Sequence, residues 1–304
     1  MQSEKPQIQL QFSPYRVSTI TCNADIGQNI NIDLHILFRN IEICDHDDSF
    51  IWIQYLKENN ENVRGLYPKK KRKSKIDTNK KNRFDNQMTV IYKYNQQYMP
   101  NIKIFKNGNI QLTGIKDFKH PEFVINKIID NIKRIYNTID KNIIITEDED
   151  LNPLERLEYG HFKVRMINTD FKIYTGLDYA DRFNIKRKEL HNILISDKYM
   201  NKSSFQPGVY QGVKLEYFWN IQHTEKNGIC NCTVNCFGKG NGDGNGSCKK
   251  VTIAIFESGS ILITGGVTFD QVDAAYKFIC NIITENKDTI KKQSMEELME
   301  LMVV

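Results

Sequence analysis

The sequence predicts an α+β fold built from two similar halves, each an antiparallel sheet with helices packed on one face. Three observations predict it. The first is a stretch that occurs twice: residues 102–129 read IKIFKNGNIQLTGIKDFKHPEFVINKII, and residues 253–283 read IAIFESGSILITGGVTFDQVDAAYKFICNII. Phe105, Gly108, Thr113 and Gly114 recur as Phe256, Gly259, Thr264 and Gly265, each 151 positions later, which marks an internal duplication. The second is alternation of apolar and polar residues on either side of each glycine turn, the pattern of strands with one buried face. The third is an apolar stripe at helical spacing after each hairpin. It runs through Val124, Ile125, Ile128, Ile129, Ile132 and Ile135 in the first copy and Val272, Ala275, Phe278, Ile279 and Ile282 in the second.

Size and composition are compatible with this plan. A chain of 304 residues suits one large domain or two medium ones. A net charge of +5 permits nucleic acid as a partner without arguing for it. No apolar run approaches the roughly 18 residues of a membrane span, and the start, MQSEKPQIQLQF, lacks the layout of a secretory signal. The chain reads as soluble and intracellular. Seven cysteines are then thiols or metal ligands rather than bridges. No Ser-His-Asp arrangement or pair of metal-binding histidines stands out, and GKGNGDGNG lacks the Lys-Ser/Thr of a phosphate loop, so the sequence gives no reason to expect an enzyme.

In chain order, residues 1–14 form a tail whose QIQLQF segment suits an extra edge strand or disorder. The first repeat spans 15–140. It opens with the strand YRVSTIT, then a helix with Asn31 as candidate cap, Asp33 in its first turn and Leu34, Ile36, Leu37 and Phe38 as its apolar side. FIWIQYL (50–56) and MTVIYKY (88–94) are strands, separated by a polar, basic insert at 57–86 read as a largely disordered loop. The helix after the hairpin begins at Pro121. Residues 141–160, with EDED and Pro153, form an acidic linker.

The second repeat spans 161–290: the strand FKVRMI, the helix NIKRKELHNIL, the strand GVKLEYFW, a Cys/Gly-rich insert at 220–250, the second hairpin and its helix. Thr268 and Gln271 stand at capping-box spacing before that helix. The tail 291–304 suits an amphipathic extension. In the second hairpin Ile253, Ile255, Ile261 and Ile263 point toward the helices, while Ala254, Phe256, Leu262 and Thr264 point away. In the first, the outward set is Lys103, Phe105, Gln111 and Thr113. That second face has no helix of its own half to cover it and meets either a partner or the other half.

These paired hairpins, each followed by an amphipathic helix, resemble the two direct repeats of the TATA-binding protein core. FQPGVYQGVKLEY (205–217), FKVRMINTDFKI (162–173) and YRVSTIT extend the resemblance, which covers roughly residues 15–140 and 160–290. It implies two pseudo-symmetric repeats forming one curved, saddle-shaped antiparallel sheet that straddles the DNA minor groove, with helices on the convex face. The family is itself a standard case of side chains wedged between base steps. By resemblance Phe105 and Phe256 are wedges and Tyr210 is the second member of the second pair. In the first pair the ungapped match gives Gln87, or Phe84 if three residues are inserted. Thr113, Thr264, Leu262 and Val17 match groove-facing positions.

The departures are Tyr15 and Met166 in place of asparagines that read the centre of the site, and Lys103 and Gln111 in place of apolar residues, which puts strict TATA preference in doubt. The implied partners are A·T-rich promoter DNA, a general transcription factor B-like protein and the RNA polymerase machinery, in a nucleus or at a cytoplasmic viral replication site. The alternative is a protein-binding adaptor or nucleic-acid accessory subunit that keeps the fold without the specificity.

Two inserts stand outside the resemblance. KKKRKSK (69–75) suits a nuclear-localisation signal, a phosphate-binding arm or a solvated loop. Cys230, Cys232, Cys236 and Cys248 supply enough thiols for tetrahedral zinc, although the spacing lacks paired C-x2-C knuckles; the insert that carries them is expected beside the DNA. Cys22, Cys44 and Cys280 sit in apolar runs and read as core thiols.

Overall fold

The computed structural model describes residues 9–27, 29–55, 62–67, 86–145, 152–176 and 179–293. Strands β1 (Leu10–Phe12), β2 (Arg16–Asp25) and β3 (Asn31–Ile32) precede helix α1 (Leu34–Asn40). Then come β4 (Ser49–Tyr55), β5 (Val63–Gly65), β6 (Gln87–Lys93), β7 (Asn101–Phe105), β8 (Asn109–Ile115), α2 (His120–Thr138) and β9 (Ile144–Ile145). The remainder holds β10 (Gly160–Thr175), β11 (Asp181–Arg182), α3 (Arg187–Ile195), β12 (Lys202–Ser204), β13 (Val213–Trp219), β14 (Lys249–Ile255), β15 (Ser260–Gly266), α4 (Phe269–Glu285) and α5 (Lys287–Ile290). Among the described residues no helix is long and apolar enough to cross a membrane.

The chain divides into two compact units, Thr19–Arg165 and the flanking segments up to Ser18 and from Met166 onward, so the boundaries fall inside β2 and β10. In the first unit the antiparallel order is β2-β8-β7-β6-β4-β5. In the second it is β10-β15-β14-β13-β12, with β1 and β11 on the far end of β10. The edge strand expected in the N-terminal tail is β1, which pairs with Ile173–Thr175.

The two hairpins share one register. Asn101 pairs with Thr113 and Lys103 with Gln111; Thr252 pairs with Thr264 and Ala254 with Leu262. Beside each hairpin the ladder to the next strand slips, between Ile20 and Thr21 and between Ile167 and Thr169. Gly114 and Gly265 sit at these slips with φ of 89° and 93°, a left-handed conformation that explains the repeated Thr-Gly.

The alternation puts isoleucine on one face. Ile102, Ile104, Ile110 and Leu112 are fully buried, as are Val124, Ile125, Ile128 and Ile132 of α2. In the second unit Ile253, Ile255, Ile261 and Ile263 are buried with Val272, Ala275 and Ile279 of α4. The α4 cap is as expected: Thr268 Oγ1 accepts from the Gln271 N–H, and Gln271 Oε1 accepts from the Val267 N–H.

Several elements differ from expectation. Asp33, not Asn31, caps α1, accepting from the His35 and Ile36 N–H groups, because Asn31 is committed to the β3–β9 ladder opposite Ile145. Val63–Gly65, inside the expected insert, forms a strand against β4, and Tyr67 packs edge-on to Trp52. The expected linker holds short turns at Lys141–Ile143 and Pro153–Arg156, capped by Asp140 and Asn152. Cys44 is exposed, whereas Cys22 is buried. Phe84, KKKRKSK, EDED and the tail from 294 onward lie outside the described residues.

The two faces of β14 should respond differently to truncation. Ile253→Ala is expected to cost about 2–5 kcal/mol, and Thr252→Ala no more than about 0.5 kcal/mol. Urea unfolding checks both, and equal costs would contradict the assignment of faces.

Candidate nucleic-acid interface

The open face of the second unit is assembled from the residues that alternate with the buried isoleucines. Thr252 and Ala254 of β14 and Leu262 and Thr264 of β15 lie beside Lys214 and Glu216 of β13, around a groove of about 460 Å³ that Tyr210 also lines. Thr264 and Leu262 are half-buried and Ala254 is buried under its neighbours.

Tyr210, which lines this groove, is paired with a second aromatic ring. Phe256 follows β14, and its ring centroid lies 5.8 Å from that of Tyr210 with planes tilted by 57°. Gly212 stands between them. A Cβ there would meet Tyr210 Cε1 at 2.9 Å and Phe256 Cε1 at 3.2 Å, so the close approach of the rings requires glycine.

Arg187, in the first turn of α3, holds the residues next to both rings. Its guanidinium donates to the Gln211 carbonyl, to Gln211 Oε1 at 3.2 Å and to Glu257 Oε2 at 2.8 Å, and lies 5.4 Å from the Phe205 ring centroid. Glu257 is also bridged by Lys292; that ammonium first, and Arg187 after it, hold its carboxyl below the usual carboxylate range. Arg187 and Gly212 were not singled out by sequence reasoning. Gly212 lay within the quoted family segment, but nothing local distinguishes Arg187, because its partners are 24 and 70 positions away.

Charge on this face is paired. The Lys214 ammonium sits 4.2 Å from the Tyr210 ring centroid. Glu216 bridges Lys202 at 3.0 Å and Lys250 at 3.1 Å. Burial opposes the Glu216 charge, but the two ammonium groups outweigh it and keep the carboxyl below its usual range.

The first unit presents different chemistry on its open face. Phe105 ends β7 half-buried, and the pocket around it, about 450 Å³, is lined by Asn23, Asn31, Asn86, Asn107, Asn109 and Gln111 among others. Gln87 pairs directly with Phe105, and by register Gly212 stands in the same relation to Phe256. The place of Tyr210 therefore falls two residues before Gln87, outside the described residues, as does Phe84. Thr113 is exposed opposite Asn101.

The opening of β2 belongs to the second unit. Val17 is half-buried between exposed Arg16 and Ser18; Arg16 pairs with Asp170 at 2.8 Å and Ser18 Oγ donates to the Asn168 carbonyl at 3.0 Å. Tyr15 is engaged on the helix side. Its hydroxyl donates to Asp273 of α4, its ring meets Tyr276 edge-on at 5.5 Å, and burial with that acceptor pushes its pKa up to about 12.

The cysteine-rich insert joins β13 to β14 at the end away from Tyr210 and Phe256, since Trp219 pairs with Lys249 there and Val213 with Ile255 near the rings. It does not flank the ring pair. Cys230, Cys232, Cys236 and Cys248 converge, all four Sγ atoms within 4.8 Å of one another.

Gly212→Ala is expected to force the Tyr210 and Phe256 rings apart at a stability cost of about 1–3 kcal/mol. Ring-proton chemical shifts check this, and unchanged shifts would contradict it. The clamp also carries a pH dependence. With its pKa depressed, Glu257 stabilises the fold above the ordinary glutamate value of about 4.3, and this is lost as pH falls below it. The same ring shifts should therefore move on acidification below about pH 4 and stay constant from pH 6 to pH 8.

No protein-family profile matches the chain. A TATA-box-binding protein-like protein of Acanthamoeba polyphaga mimivirus is 31% identical over 279 residues, covering 91% of this chain and 66% of the relative. The chain thus spans just under two thirds of that relative's length. Among solved structures, Methanococcus jannaschii TBP aligns with a TM-score of 0.46 and 16% identity over 90% of this chain and 99% of its own. Along nearly its whole length the chain is thus similar in sequence to a TATA-box-binding protein-like protein.

Proposed function

We propose that this chain is a TATA-binding-protein-like transcription initiation factor. It binds A·T-rich promoter duplex through the open sheet faces, wedges aromatic rings into the minor groove, bends the DNA and recruits a general transcription factor B-like protein and the RNA polymerase machinery through its helices. It works in a nucleus or at a cytoplasmic viral replication site and carries out no catalytic step. The observation that supports this best is the Tyr210–Phe256 pair, held over Gly212 beside a groove floored by Ala254 and Leu262. Apolar and aromatic groups suit the minor groove, whose few donors and acceptors reward shape and wedging over base-edge hydrogen bonds.

Phe256 is the leading wedge, and Tyr210 backs it with Lys214 over its ring, so that ammonium must shift if Tyr210 also inserts. Thr264 and Leu262 contact the groove floor, while Phe105 and Thr113 act in the first unit on a more polar surface. Lys202, Lys214 and Lys250 supply phosphate contacts once the duplex displaces their pairing. With Tyr15 bound to Asp273, the site lacks one of the family's central groove readers, and the proposed preference is for A·T-rich DNA rather than a strict TATA sequence.

The adaptor reading rests on the amide-rich surface around Phe105, which suits protein hydrogen bonding better than an apolar groove. Fluorescence anisotropy with short A·T-rich duplexes separates the two. Phe256→Ala and Tyr210→Ala are expected to weaken binding by about 1–3 kcal/mol, roughly 5- to 150-fold, with the fold intact. Binding unchanged in both variants contradicts the wedge, and no binding to any duplex supports the adaptor.

A further inference from the structure

The insert between β13 and β14 lacks an apolar core. Three of its large apolar side chains point outward, Ile221, Val234 and Phe237 being 65%, 54% and 76% exposed, and Ile229 is only half-buried. Between 221 and 247 the buried positions are glycines, Gly228, Gly238 and Gly242. A segment of this size with no hydrophobic interior needs another source of folding free energy.

Its centre is sulfur. Cys248 is fully buried where the insert re-enters β14, and Cys230, Cys232 and Cys236 surround it. The Cys248 sulfur lies 3.3 Å from that of Cys232 and 3.7 Å from that of Cys230. Tetrahedral zinc with Zn–S bonds of about 2.3 Å places its sulfurs about 3.8 Å apart, whereas disulfide sulfurs are about 2.05 Å apart.

Amide donors are aimed at these sulfurs. The backbone N–H groups of Gly238 and Cys248 donate to Cys236, and that of Cys232 to Cys230. Asn220, itself 1% exposed, directs Nδ2 at the Cys248 sulfur at 3.6 Å. Such donors serve a thiolate, as the outer shell of a metal site does.

We propose that Cys230, Cys232, Cys236 and Cys248 form a closed tetrathiolate zinc site, and that the metal takes the place of an apolar core in folding the insert. Four thiols release four protons to solvent on binding Zn²⁺, leaving a site of net charge 2−, with Lys249 and Lys250 next in the chain to Cys248. Four protein ligands leave no open position, so the role is structural.

Metal content tests this independently of DNA binding. Full-length protein purified in reducing, chelator-free buffer should carry close to one zinc per chain, released as a mercurial titrates the thiols. Exchange into cobalt(II) should give the intense visible bands of tetrahedral thiolate ligation. Cys232→Ser and Cys236→Ser should lose the metal, whereas C44S, at an exposed position outside the insert, should keep it. A chelator should open the insert to protease while the sheets stay resistant. Metal near zero in fully reduced protein that also gives no cobalt bands overturns the proposal. So does an intact mass lower by two or four hydrogens, which would reveal disulfides.

Discussion

Every position on the open sheet faces depends on one packing constraint: a row of isoleucines in each sheet must be buried under a helix. Ile102, Ile104 and Ile110 in one unit, and Ile253, Ile255 and Ile261 in the other, are fully shielded from solvent. Burying such a side chain is worth about 1.5–3 kcal/mol, and sliding a strand by one residue would turn its whole set outward. That locks the register, and the register fixes which residues appear on the other face. The two units can therefore keep identical hairpin pairings, Lys103 with Gln111 and Ala254 with Leu262, while their open faces differ in chemistry.

The open faces are free to diverge because little of the fold rests on them. In the second unit the face carries Ala254, Leu262 and a ring pair whose flanking residues are tied to Arg187. Its one carboxylate, Glu216, is shared by Lys202 and Lys250, which leaves an excess of positive charge that suits phosphate contacts. In the first unit asparagines crowd Phe105.

What was legible in the sequence was what is local or periodic. The isoleucine alternation, the α2 and α4 stripes and the Thr268–Gln271 cap all follow from neighbours within a few positions. What was not legible depends on partners far along the chain. Asn31 and Asp33 are equally good caps in isolation; the pairing of Asn31 with Ile145 decides between them. Tyr15 looked like a groove position until its hydroxyl met Asp273, 258 positions away. Gln87 aligned with Tyr210 only while insert lengths were unknown, and the ladder puts it where Gly212 stands. The cysteine spacing lacks a knuckle motif, yet the four thiols converge in an insert whose two ends are held by the β13–β14 ladder.

Whether the open faces bend duplex DNA is the central matter, and energy transfer between dyes at the two ends of a short duplex reads it directly. The expected result is a rise in transfer on A·T-rich and TATA-containing duplexes, smaller on G·C-rich ones and largely abolished by Phe256→Ala. Binding without any change in end-to-end distance, indifferent to sequence and falling steeply with salt, would mean that lysines alone hold the DNA, and would contradict the account.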